Sequence, residues 1–73
     1  MPTSPNFLEI SVNGSFLQLP SGSTIVDLMQ HLGLTGQRVA VERNQEVIPR
    51  SNYAQTVLVS GDRLEIIRAV GGG

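Results

Sequence analysis

Side chains that could carry out chemistry are scarce in this sequence. Its 73 residues include one histidine, His31, and one tyrosine, Tyr53, with neither cysteine nor lysine. His31 has no second histidine or acid at metal-ligand spacing, so its simplest role is that of a favourable residue at a helix C-terminus. Without cysteine, neither a disulfide nor a thiolate metal site can form. We therefore expect no enzyme activity from side chains, no metal site and no bound cofactor.

The most unusual feature is the glycine run formed by Gly71, Gly72 and Gly73. Glycine-rich ends are often only frayed tails. Here, however, the run would leave directly from an apolar strand, and residues 70–73 in extended conformation reach roughly 13 Å. Because Gly71 and Gly72 lack a Cβ atom, they could thread a tunnel that larger side chains would block. The Gly73 main-chain carboxylate is therefore the candidate reactive group, presented to a partner's buried active site.

A hairpin is the first element that must position this tail. Apolar and polar residues alternate on both sides of Asn13-Gly14, the dipeptide most typical of a two-residue hairpin turn. A turn at that point pairs Val12 with Ser15 and brings the apolar residues of both strands onto one face. The further predicted pairs are Ser11 with Phe16, Ile10 with Leu17, Glu9 with Gln18, and Leu8 with Leu19.

A short helix of about eight residues is predicted after the loop over residues 20–23. Thr24 and Asp27 resemble a capping box with Asp in place of the usual Glu, so the helix should begin at Ile25. Gly33 is well placed to leave the helix in a left-handed conformation. A helix this short needs tertiary packing, which one apolar stripe at helical spacing can supply. The stripe consists of Ile25, Leu28, Met29 and Leu32.

Three further strands complete the predicted sheet. Residues 39–43 and 46–48 form two of them around a turn, and residues 63–70 form the last. The order strand, strand, helix, strand, strand, strand predicts an α+β fold in which one helix crosses a mixed sheet of about five strands. This is the β-grasp arrangement also seen in ubiquitin, where the first and last strands are parallel neighbours at the sheet centre.

Length and charge restrict the organisation and the partners. The chain is short enough for one domain, which we place at residues 6–70, between a disordered lead-in over residues 1–5 and a flexible reactive tail over residues 71–73. A net charge of -1 without a basic run argues against nucleic acid, and short apolar stretches argue against a membrane span. Neither a signal-peptide pattern nor a cysteine is present, so we expect a cytoplasmic protein.

Several short motifs lie in a specific order along the chain. They are Asn13-Gly14, Thr24-Ile25-Val26-Asp27-Leu28, Val41-Glu42-Arg43-Asn44, Val47-Ile48-Pro49-Arg50, Tyr53, Gly61-Asp62 and Val70-Gly71-Gly72-Gly73. In this order and spacing the sequence resembles the ThiS family, the sulfur-carrier proteins of thiamine thiazole biosynthesis, over residues 7–73. Residues 1–5 lie outside the family pattern.

The resemblance implies a role for Gly73. An ATP-dependent adenylating enzyme (ThiF-like) would activate its carboxylate, because a carboxylate resists nucleophiles until it carries a good leaving group. A sulfur donor such as a cysteine desulfurase would then displace AMP and leave a thiocarboxylate. That sulfur would pass to thiazole synthase (ThiG-like). By this analogy ATP is consumed by the partner, and the chain is a cosubstrate and not an enzyme.

A docking surface can also be predicted from the strand register. With the apolar residues of the first and last strands turned toward the helix, Phe16, Ile67 and Ala69 should point away from it. We expect these three side chains to lie together near the root of the tail, where outward apolar groups favour a partner contact over ordinary surface.

Three other functions remain open. The small subunit of molybdopterin synthase combines the same fold and tail chemistry with a different acceptor, although the segments 41–44 and 48–50 argue against it. A protein-modifying tag would form isopeptide bonds through Gly73, and the lack of lysine would prevent chains built on itself. A plain interaction domain would carry an idle tail.

Overall fold

The computed structural model of the chain describes residues 6–68 as one helix packed against a five-stranded mixed sheet. The sheet order is β2-β1-β5-β3-β4. The pair β1 and β5 is parallel, and the other three pairs are antiparallel. This confirms the predicted β-grasp fold, with the first and last strands adjacent at the sheet centre. The elements are β1 (Phe7–Val12), β2 (Ser15–Pro20), α1 (Ile25–His31), β3 (Val39–Arg43), β4 (Glu46–Ile48), a 3-10 helix (Arg50–Asn52) and β5 (Arg63–Arg68).

The β1-β2 hairpin has the predicted register at every predicted pair, from Val12 opposite Ser15 to Leu8 opposite Leu19. Its two turn residues, Asn13 and Gly14, have φ angles of 51° and 86°. Both positions require the left-handed region in this type of turn, which Asn and Gly adopt at low cost. The turn chemistry therefore determines which face of the hairpin is apolar.

Helix α1 begins and ends as its sequence predicts. The Asp27 backbone N–H donates to Thr24 Oγ1 at 3.3 Å, and the Thr24 N–H donates to the Asp27 carboxylate at 2.9 Å, so the capping box is complete. Gly33 follows the helix with a φ of 72°. The predicted apolar stripe is wrong at one position, because Leu32 is 37% exposed. Leu32 is the C-cap and follows His31, the last residue of the helix.

The core lies between α1 and the inner face of the sheet. Residues 56–59 contribute to it without joining the sheet, since Val57 forms only an isolated bridge with Thr24. The Leu58 N–H donates to the Ser23 carbonyl at 2.8 Å, which fixes the Leu58 side chain under the helix. The most deeply buried side chains are Ile10, Leu19, Ile25, Leu28, Val41, Leu58 and Leu64.

A buried carboxylate joins the loop before β5 to the β3-β4 turn. Asp62 is only 3% exposed, and its Oδ2 accepts from Arg43 Nε at 3.0 Å and from the Val59 N–H at 2.9 Å. Its Oδ1 accepts from Asn44 Nδ2 at 3.2 Å. The Asn44 side-chain oxygen in turn accepts from the Arg63 N–H at 2.9 Å. These contacts guide the chain into the central position of β5.

The predicted lead-in over residues 1–5, the end of the last strand at residues 69 and 70, and the reactive tail over residues 71–73 lie outside the described residues. The domain boundaries at residues 6 and 70 therefore stay predictions. Within residues 6–68, no helix is long and apolar enough to span a bilayer.

We predict that Asp62→Asn lowers the free energy of unfolding by about 2–4 kcal/mol, because an amide cannot replace a carboxylate that accepts three hydrogen bonds in a buried site. Urea denaturation would measure the loss. Asp27→Asn is the matched control, since Asp27 is an exposed carboxylate whose helix cap is worth about 1 kcal/mol. Equal losses for the two variants would contradict a special role for the buried carboxylate.

Candidate functional site

Strand β5 leads toward the glycine run and is held mainly from one side. Its pairing with β3 continues as far as Val39 opposite Arg68, the last described residue. Its parallel pairing with β1 covers only Ser11 opposite Arg63 and Val12 opposite Leu64. The backbone of β1 then turns into the hairpin and is no longer available as a partner for β5.

The Asn13 side chain continues the pairing that the β1 backbone abandons. Its Oδ1 accepts from the Ile66 N–H at 2.8 Å, and its Nδ2 donates to the Ile66 carbonyl at 3.2 Å. The Asn13 backbone N–H donates to the Leu64 carbonyl at 2.9 Å. A carboxamide carries the same donor and acceptor pair as a peptide group, so it can replace one residue of a strand. The sequence analysis assigned Asn13 only to the turn and missed this second function.

Strand β5 is held in place as far as Arg68, and the glycine run follows in the sequence. Gly73 lies five residues beyond Arg68, and an extended chain of that length spans at most about 17 Å. The threading residues Gly71 and Gly72 and the candidate reactive Gly73 lie outside the described residues, so their roles stay predictions.

The three residues predicted to form a docking surface do not lie together. Phe16 and Ile67 do point away from the helix, and they are 79% and 52% exposed. Phe16, however, is opposite Ser11, which is opposite Arg63 at the start of β5. Ile67 is four residues further along the strand, which separates the two side chains by about 13 Å along the sheet and about 10 Å across it.

The predicted common patch near the root of the tail is therefore wrong for Phe16. The strand register correctly predicts which face of the sheet each side chain occupies. It does not by itself place Phe16 and Ile67 at the same position along the strands, and they are four residues apart. Ile67 lies near the end of β5 and opposite Ala40 of β3. Phe16 instead borders a groove of about 590 Å³ that also includes Gly14 and Arg63. Ala69, the third member, lies outside the described residues.

The two side chains with the most obvious chemical capacity are far from forming a site. His31 is exposed in the last turn of α1, in the position expected for it, whereas Tyr53 is 8% exposed and belongs to the hydrophobic core. Among the described residues, no three histidine or acidic side chains come together as a possible metal site.

Comparison with known proteins supports a specific family. The sequence pattern of the ThiS family matches residues 6–73. A sulfur carrier protein ThiS of Escherichia coli (strain K12) is 27% identical over 66 residues, which cover 90% of this chain and 100% of that protein. The crystal structure of the thiamine biosynthesis protein ThiS from Geobacter metallireducens has a TM-score of 0.78 and 28% identity, and covers 90% of this chain and 100% of that one.

A longer relative contains the same segment within a larger protein. A thiazole synthase of Paramagnetospirillum magneticum (strain ATCC 700264 / AMB-1) is 39% identical over 66 residues, which cover 90% of this chain. The present chain spans only 20% of the length of that relative.

We predict that Asn13→Gly loosens β5 without disturbing the hairpin turn, because glycine retains the left-handed backbone but removes the amide. The Ile66 amide should exchange its hydrogen faster, and the free energy of unfolding should fall by about 1–2 kcal/mol. Hydrogen exchange followed by NMR would measure both. Asn13→Asp is the matched variant, since it keeps the acceptor for Ile66 and should have a smaller effect. Unchanged hydrogen exchange of the Ile66 amide in Asn13→Gly would contradict a stabilising role for the Asn13 side chain.

Proposed function

The chain belongs to the ThiS family, and on that basis we propose that it is a sulfur carrier for thiamine thiazole biosynthesis. The observation that carries the proposal is the extent of the family match, which continues through residue 73 and so includes the glycine run. A relative aligned over its whole length is named a sulfur carrier protein. The functional group is then the main-chain carboxylate of Gly73, and the folded domain presents it.

The proposed chemistry has two steps, one at a carboxylate oxygen of Gly73 and one at its carbonyl carbon. A carboxylate oxygen first attacks the α-phosphorus of ATP, forming an acyl-adenylate and releasing pyrophosphate. A sulfur nucleophile then attacks the acyl carbon, and AMP leaves with the electron pair of the broken C–O bond. Sulfide yields the thiocarboxylate directly, whereas a persulfide yields an acyl disulfide that a thiol must reduce. No cysteine of the carrier takes part, which agrees with its absence from the sequence.

Three partners follow from this chemistry. A ThiF-like adenylating enzyme supplies ATP and the catalytic residues, and a donor such as a cysteine desulfurase supplies sulfur. A ThiG-like thiazole synthase receives it, which is supported by the relative of that name that contains the homologous segment as 20% of its length. The carrier itself is a cosubstrate. We propose a cytoplasmic location for the carrier.

We predict that deleting residues 71–73 abolishes activation and leaves the fold intact. The glycines have no side chain to bury, so the melting temperature should hardly change, whereas the truncated chain ends in a different residue that the active site does not hold correctly. Exchange of radioactive pyrophosphate into ATP with the adenylating enzyme would measure activation. Full exchange by the truncated chain would rule out the Gly73 carboxylate.

Gly72→Val is the matched variant for this deletion, because it keeps the terminal carboxylate and adds only a branched side chain. If the tail threads a narrow tunnel, exchange should collapse here as well. Normal exchange by Gly72→Val, together with none by the truncated chain, would support the carboxylate and refute the threading.

A surface prediction concerns Ile67 and Phe16, which remain candidate contact residues for the partners. Ile67 lies closer to the tail along β5, so Ile67→Asp should weaken binding to the adenylating enzyme or thiazole synthase by more than about 1 kcal/mol. Phe16→Asp should have a smaller effect on these contacts. Titration calorimetry and thermal melts on both variants would measure affinity and fold stability. Equal affinity for wild type and Ile67→Asp would show that this side chain is ordinary surface.

A further inference from the structure

Three of the five arginines of the chain meet at one cavity near the end of β5. The cavity has a volume of about 230 Å³, and β3, β5 and the 3-10 helix contribute to it. These arginines are distant in the sequence, and only the pairing of β3 with β5 and the return of the chain after β4 bring them together. The lining residues are Arg38, Val39, Ala40, Arg50, Ile67 and Arg68.

Within residues 6–68, none of the three arginines of this cavity forms an ion pair. Its lining contains no acid, and the ion pair of the described residues is that of Arg43 with Asp62. Arg50 donates to the Gln37 carbonyl at 3.2 Å, which holds its guanidinium in place. The side chains of Arg38 and Arg68 are exposed and make no hydrogen bond or ion pair in the described part of the chain. No described contact within the fold uses the charge of either side chain.

The surroundings of the cavity favour a compact anion. Ile67 and Ala40 are opposite each other on β5 and β3, form an apolar patch and line the same cavity as the arginines. An ion pair is stronger where apolar groups exclude water. Directly next to this patch, Glu65 of β5 faces Glu42 of β3. That acidic pair would repel an extended polyanion lying along the sheet, so a nucleic acid backbone is a poor occupant. Individual carboxylates fit the charge and the volume.

When the tail is extended, the phosphates of the activated nucleotide lie too far from the cavity to be its occupant. Arg68 lies up to about 17 Å from the terminal carboxylate when the intervening five residues are extended. A nucleotide phosphate bonded to Gly73 would then be far beyond the reach of the cavity. With the tail extended into a partner, the anion nearest to the cavity belongs to the partner surface around the root of the tail.

We propose that the arginine cavity is a docking site for carboxylate side chains on the adenylating enzyme, at the mouth of the channel that receives the tail. This inference rests on the proposed function and adds the chemistry by which the carrier is recognised. Contacts between Arg and carboxylate groups can be bidentate, so they orient the domain as well as attract it. Attraction at the rim of an interface mainly raises the association rate and makes it depend on salt.

The test is a charge-reversal series measured with the adenylating enzyme from the same organism. The double variant Arg38→Glu/Arg68→Glu should raise the dissociation constant about tenfold at low salt, and its dependence on salt should be weaker. Arg38→Lys/Arg68→Lys keeps the charge but not the bidentate contacts, so it should lose less affinity than the double glutamate variant. The control for net charge is Arg63→Glu, tested against the single variant Arg68→Glu. Arg63 is an exposed arginine at the other end of the same strand, outside the cavity.

Specific outcomes decide the inference. The inference is supported if Arg68→Glu raises the dissociation constant clearly more than Arg63→Glu does. Recovery of pyrophosphate exchange at a saturating concentration of carrier would support it further. Equal effects would show that only overall charge matters and would overturn it, as would unchanged affinity of the double variant. Thermal melts verify that all variants are folded. If the wild-type carrier supports pyrophosphate exchange and the arginine variants bind the enzyme with unchanged affinity, only this inference fails. If the wild-type carrier supports no exchange, the proposed function is overturned as well.

Discussion

The structure depends on one buried carboxylate, that of Asp62. The last strand, β5, lies between β1 and β3 in the sheet, and no hairpin turn joins it to either neighbour. The Asp62 carboxylate connects two parts of the chain. It accepts from the Val59 N–H in the loop that precedes β5, and from the Arg43 and Asn44 side chains at the β3-β4 turn. A buried carboxylate is costly unless its oxygens are satisfied, and each oxygen of Asp62 has a partner. The same contacts that satisfy this charge therefore set the position of β5.

The central position of β5 means that the strand leading to the glycine run has hydrogen-bond partners on both sides. Strand β3 holds β5 up to Arg68, and the Asn13 amide replaces the missing β1 backbone at Ile66. The strand is thereby fixed on both sides close to the point where the glycine run follows. A domain without suitable nucleophiles can take part in sulfur chemistry if it holds a main-chain carboxylate out to enzymes that have them. In the proposed function, the fold contributes position and recognition, and the partners contribute catalysis.

Much of the fold could be predicted from the sequence because its signals are local. Asn13-Gly14 determined the hairpin register, and Thr24 with Asp27 determined the start of the helix. The signals that failed or were absent are those that depend on the assembled sheet. Leu32 continues the helical spacing but lies where the chain leaves the helix. Phe16 of β2 lies on the predicted face, but it is level with the start of β5 and not with Ile67 near its end. The hydrogen bonds of the Asn13 side chain to Ile66 and the three-arginine cavity both join residues far apart in the chain, so no local pattern indicates them.

The central claim is that Gly73 carries sulfur, and intact-mass spectrometry tests it most directly. The chain would be incubated with its adenylating enzyme, ATP and a sulfide or persulfide donor, and a parallel sample would lack ATP. The account predicts a mass increase equal to the exchange of one oxygen atom for sulfur, located by fragmentation at Gly73 and absent without ATP. A chain whose mass is unchanged under conditions in which the enzyme activates another member of the family would contradict the account.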